Sequence, residues 1–92
     1  MGTEKIKIAM MTATSKALNY KKINHKADSE EVLQFIMKEL KSKGQEKIGA
    51  MAAATKALDY LEDKSLSHKQ IMQKVMNDSE EILMTMAIEW FN

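Results

Sequence analysis

Two stretches of this chain, forty positions apart, are nearly the same. Residues 7–20, KIAMMTATSKALNY, align without a gap on residues 47–60, KIGAMAAATKALDY. Lys7, Ile8, Met11, Ala13, Lys16, Ala17, Leu18 and Tyr20 recur as Lys47, Ile48, Met51, Ala53, Lys56, Ala57, Leu58 and Tyr60, eight identities in fourteen positions. A second match follows at a spacing of fifty, where Asp28-Ser29-Glu30-Glu31-Val32-Leu33 returns as Asp78-Ser79-Glu80-Glu81-Ile82-Leu83. Self-similarity of this kind marks one supersecondary unit used twice. It restricts the chain to folds assembled from two like parts.

The parts read as helical throughout. Alternating strand patterns are missing, as are the Asn-Gly and Pro-Gly signals of hairpins, and the chain has no proline to interrupt a helix. A first helix is expected from about Glu4 to Lys22. A second starts at the cap Asp28, with Glu31 as its capping-box partner, and runs through Lys41 and Lys43 to Gly44. A third covers Gln45 to Glu62. Ser67 and Gln70 form the S-x-x-Q signature of a short fourth helix reaching about Met76, and Asp78 with Glu81 caps a fifth running to the end of the sequence. The expected architecture is therefore all-α: one domain over residues 1–92, a small bundle of two αα-hairpins related by a pseudo-two-fold. The repeat spans 4–43 and 45–92, with one short helix inserted in the second copy.

The repeated helix carries two stripes. Ile8, Met11, Ser15 and Leu18 fall on one side at helical spacing, and Ala9, Ala13 and Ala17 lie nearly opposite; the second copy places Gly49, Ala53 and Ala57 there. Small residues at i, i+4 and i+8 let two helix backbones approach closely. Gly49 sharpens the point, because a mid-helix glycine costs roughly 1 kcal/mol relative to alanine and usually has a packing reason. The first and third helices are thus expected to meet along these stripes.

The two later helices differ. Gln34, Lys38 and Lys41 make a polar face in the second helix, and fifty residues on the same positions are Met84, Ile88 and Phe91. Large exposed apolar patches are rare on monomers, so something must cover this one. The short helix, with Ile71, Met72, Val75 and Met76 on one arc, is one candidate cover; a second chain is the other. Nine methionines add adaptable apolar surface, although at helical spacing such residues more often fill a core.

Chemistry is scarce. The sequence has no cysteine and three glycines, which removes thiol chemistry, Cys-ligated metals and a glycine-rich phosphate loop. His25 and His68 lack a spaced partner for metal or general-base work. The acidic pairs Glu30-Glu31 and Glu80-Glu81 sit where they complement a helix dipole. No catalytic, cofactor or metal residue is expected, and the chain is read as no enzyme. The near balance of 14 basic and 13 acidic residues gives no global field for nucleic acid. One local feature stands out, the basic linker Lys21-Lys22-Ile23-Asn24-His25-Lys26. No arginine occurs, so forked grips on guanine or phosphate are missing.

No segment is apolar over the ~18–20 residues needed to span a bilayer, and the opening MGTEKIKIAMM lacks the apolar run of a secretory signal. A cytoplasmic protein without membrane contact is expected. The function expected is that of a non-catalytic protein-interaction module, forming a homodimer or binding another protein, with Met84, Ile88, Trp90 and Phe91 as its working surface. The alternative is a small nucleic-acid-associated regulator using Lys21, Lys22 and Lys26. A third class is a carrier with a methionine-lined cavity for an apolar ligand between the hairpins.

Overall fold

A computed structural model describes the backbone of residues 3–41 and 43–91, and the side chains of 4–41 and 43–85. Four helices follow one another: α1 Thr3–Ile23, α2 Ser29–Glu39, α3 Gln45–Leu61 and α4 His68–Phe91. No strand occurs among the described residues. The chain is all-α.

α1 and α3 form the central seam, the most closely packed pair of the molecule. Ala13, Ala17, Ala50, Ala53, Ala54 and Ala57 are all fully buried. A Cβ added at Gly49 would lie 2.8 Å from Ile6 Cγ2 and 3.4 Å from Met10 Cγ, so a larger residue there would force the Ile6 side chain to shift. α1 and α3 pack closely, as expected, but Ala13 and Ala17 cluster with Ala50 and Ala54, and Ala53 and Ala57 with Met10 and Leu18, rather than stripe against stripe. The consequence inverts the usual amphipathic pattern. Alanine occupies the interior, whereas Ile8 and Ile48 stand on the outside, 66% and 49% exposed. Leu18, which the helical spacing groups with Ile8 and Met11, is instead a core residue.

Two apolar clusters flank the seam. The first joins Ala13 and Ala17 of α1 to Ala50, Ala54 and Leu58 of α3, and adds Val32 and Ile36 of α2. The second joins Met10 and Leu18 of α1 to Ala53 and Ala57 of α3, and adds Ile71, Val75, Ile82 and Leu83 of α4. Residues matched by the forty-residue repeat thus fall in opposite clusters.

The two connections are built alike. Ala27 N donates to Asn24 O at 3.1 Å, and thirty-nine residues on Leu66 N donates to Asp63 O at 3.1 Å. Glu31 N donates to the cap Asp28 Oδ1 at 2.8 Å, and Gln70 N donates to the cap Ser67 Oγ at 3.2 Å. Gln70 Oε1 also accepts from Ser67 N at 2.8 Å, which completes the capping box.

Three sequence expectations need correction. The segments 67–76 and 78–91 are not separate helices but one, α4. Asp78 does not cap, because its carboxylate accepts from Tyr60 Oη. Asn77 and Ser79 contain no proline-like block, and Ser79 Oγ donates back to Met76 O at 2.6 Å. The inserted short helix therefore does not exist as such. By hydrogen-bond register, the start of α2 corresponds to Ser67 rather than to Asp78. Finally, α2 stops at Glu39 rather than Gly44. Leu40 is extended, with φ −78° and ψ 128°, and its N–H closes the last turn on Ile36 O. Gly44 instead opens α3 at φ +61°, in the left-handed region where a Cβ is unfavourable.

Candidate functional site

The outer faces of α1 and α4 enclose an open groove of about 1020 Å³. Ile8, Met11, Thr12 and Ser15 of α1 form one wall, and Met76 and Asn77 of α4 form the other. Ile8 reaches this position because the alanines of α1 occupy the seam side. Met76 is there because Ile71 and Val75 turn the opposite face of α4 into the second cluster. At the end of the groove Lys7 Nζ pairs with Glu80, tying α1 to α4. Exposure within it is high for residues of this type, Ile8 66% and Met76 52%, and Met84 further along α4 is 65% exposed.

The structure places one of the four predicted interaction residues, Met84, on the exposed face of α4. Ile88, Trp90 and Phe91 lie outside the residues whose side chains are described. The short helix expected as an internal cover cannot serve as one. Residues 68–76 and 84–91 share a single helix axis, so the former cannot fold back over the latter. Sequence reasoning placed Met76 in that cover, whereas it lies open beside Ile8. The signal available was the absence of any glycine or proline between Met72 and Met84. Two methionines, Met11 and Met76, line this groove, which is open to solvent.

The basic linker has a different arrangement from a solvated run. Lys21 Nζ donates to His25 O at 3.2 Å and to Ala27 O, so it closes the α1–α2 connection. Lys22 and Lys26 remain exposed. The α3–α4 connection lies beside the same end, and one shallow pocket is lined by Lys22, His25, Lys64 and His68, with Asp63 among them. Asp63 is held below the usual carboxylate range, chiefly by the hydroxyl of Ser65 at 2.6 Å and then by its backbone N–H at 3.0 Å. The two histidines, distant in sequence, thus share one end of the molecule. No group of three or more His, Asp or Glu side chains able to hold a metal occurs among the described residues.

Two tyrosines mark equivalent places of the repeat. Tyr20 Oη donates to Glu31 Oε2 at 2.7 Å, and its ring lies 4.6 Å from that of Phe35. Tyr60 Oη donates to Asp78, with Lys56 Nζ 3.9 Å from the same carboxylate oxygen. Each phenol is raised above its ordinary pKa, first by donating to an anion and then by burial. Glu31 therefore does more than complement a helix dipole.

No described helix is long and apolar enough to cross a membrane. Compared with known proteins, the chain matches no family model, no curated protein and no solved structure at a significant level.

Proposed function

We propose that this chain is a non-catalytic helical interaction module whose partner is a second copy of itself. The observation that carries this reading is apolar surface left half to two-thirds exposed, Ile8 and Met76 lining the groove and Met84 further along α4, with no internal cover among the described residues. Contiguous apolar surface of this kind on a small domain is removed from water by association. In sequence the stripe continues from Met84 to Ile88 and Phe91, each one helical turn further. The bundle itself is read as two αα units related by a pseudo-two-fold through the α1–α3 seam. The exchange of matched residues between the two clusters supports this.

Light scattering across a dilution series is the test. A dimer is expected at micromolar concentration, and Met76→Lys with Met84→Lys should weaken it at least tenfold, since each buried methionine contributes about 1.5–3 kcal/mol. A wild-type chain that stays monomeric at every concentration overturns self-association.

A second reading has its own support, the gathering of Lys22, His25, Lys64 and His68 at one end beside the exposed Lys26. Such an end would hold a phosphate backbone through charge alone, with affinity falling steeply as salt rises. Lys22→Glu with Lys26→Glu and Lys64→Glu should abolish any shift of single- or double-stranded nucleic acid. No binding by the wild type at low salt ends this reading.

A further inference from the structure

We propose that α4 is a two-state element hinged at Asn77–Ser79: a straight state held by Tyr60, and a broken state in which Asp78 caps a separate helix over 79–91. This inference does not depend on what the outer face of α4 binds.

Three features place the hinge. Asn77, Asp78 and Ser79 are consecutive, and each competes for backbone hydrogen bonds in a way that favours helix starts over helix interiors. They sit near the middle of a 24-residue helix. The segment they open, Asp78-Ser79-Glu80-Glu81-Ile82-Leu83, matches Asp28-Ser29-Glu30-Glu31-Val32-Leu33 in five of six residues, the sixth being β-branched and apolar in both. In the first copy that segment works as a cap, with Glu31 N bonded to Asp28 Oδ1 at 2.8 Å. Lastly, the connections recur at thirty-nine residues, and on that register Glu39 and Leu40, where α2 ends, correspond to Asp78 and Ser79. The molecule thus contains the broken version of this stretch already, in its other half.

What keeps α4 straight is equally specific. Tyr60 Oη engages the Asp78 carboxylate, which is therefore turned away from Glu81 N. Lys56 stands 3.9 Å from the same oxygen. The Ser79 hydroxyl is occupied by Met76 O. Beyond the hinge, Ile82 and Leu83 are buried in the second cluster and Glu80 pairs with Lys7. Tyr60, by its hydrogen bond, and Lys56, by its charge, both contend directly with the cap, because all three need the same carboxylate. Breaking the helix would lift Ile82 and Leu83 out of the core and present residues 79–91 as an amphipathic arm.

The chain lacks cysteine, so a Lys69→Cys, Thr85→Cys pair can be spin-labelled without interference. Both positions are exposed. At 1.5 Å rise per residue a straight α4 separates their Cα atoms by about 24 Å, and any break shortens this distance. Pulsed electron resonance is read on labelled chain diluted in unlabelled chain, so that association adds no distances. The wild type should show mainly the long distance. Tyr60→Phe should raise the short-distance population on the order of five- to tenfold, the effect of losing a hydrogen bond to a carboxylate. Adding Asp78→Ala to Tyr60→Phe should remove that population again, because the broken state needs the cap. Ser79→Pro, with proline at the first position of the new helix, should give a folded protein at the short distance. A single long distance in Tyr60→Phe, a short population that survives Asp78→Ala, or an unfolded Ser79→Pro chain would each overturn the proposal.

Discussion

The first and second halves of the chain have like sequences along α1 and α3 and like hydrogen bonds in their connections and caps, and differ most in how far the helix after the connection runs. α2 ends at Glu39, and α4 passes the corresponding position and runs on to Phe91. Local propensity alone would give the reverse. The α2 stretch Gln34-Phe35-Ile36-Met37-Lys38-Glu39 has no strong helix breaker, whereas Asn77-Asp78-Ser79 collects three residues suited to helix starts. What decides is the reward for continuing. A helix that continues past Asp78 buries Ile82 and Leu83 against α1, including Met10. In the first half, the chain turns at Leu40, which is half-buried against the first cluster, and Gly44 then admits the start of α3. A cap motif is a permission that packing can decline.

If the halves share one design, matched substitutions should cost alike until that point of divergence. The largest effects belong to the seam. Ala13→Leu and Ala53→Leu each force a larger side chain between α1 and α3, where both alanines are fully buried. Each should lower stability by about 1–3 kcal/mol through overpacking, measured by urea denaturation. Similar values would place the two positions in one kind of environment. A neutral result at either would break the comparison.

Smaller, and unequal by expectation, are the cap substitutions. Asp28→Ala removes the acceptor of Glu31 N and should cost about 1 kcal/mol. Asp78→Ala removes no cap. It gives up the part-buried hydrogen bond from Tyr60, about 1 kcal/mol, but gains helix propensity in mid-helix, roughly 0.5 kcal/mol, so its net cost should be smaller than that of Asp28→Ala. Equal losses at Asp28 and Asp78 would mean that Asp78 caps after all.

Much of this was readable in the sequence, for physical reasons that differ by residue. The caps at Asp28 and Ser67 depend on contacts three residues away, and local patterns report them. The alanine stripes and Gly49 report close approach because a larger residue there would force its neighbours to shift. By contrast, the junction at Asp78 depends on Tyr60, eighteen residues away, and on α1, which local reading does not weigh. The same blindness hid the groove. Ile8 and Met76 become neighbours only once α4 is one helix, and the shared end of His25 and His68 exists only once both connections are built.

The finest comparison lies between the two tyrosines. A phenol that donates to a carboxylate loses its proton less readily, so Tyr20 and Tyr60 have folded-state pKa values above that of the unfolded chain. The stability linked to each is therefore present below the unfolded phenol value, about 10, and is lost as pH rises through the higher folded value. Ultraviolet titration of Tyr20→Phe and Tyr60→Phe, each leaving one phenol, should give midpoints above those of the same variants in urea. Glu31→Gln, made in the Tyr60→Phe background, should return Tyr20 toward the unfolded value, because a neutral amide replaces the anion. Made in the Tyr20→Phe background, it should leave Tyr60 unmoved, since that phenol is held by Asp78. A Tyr60 that follows Glu31→Gln would mean the two ends of the seam are not independent, and the likeness of the halves would then rest on coupling rather than on repetition.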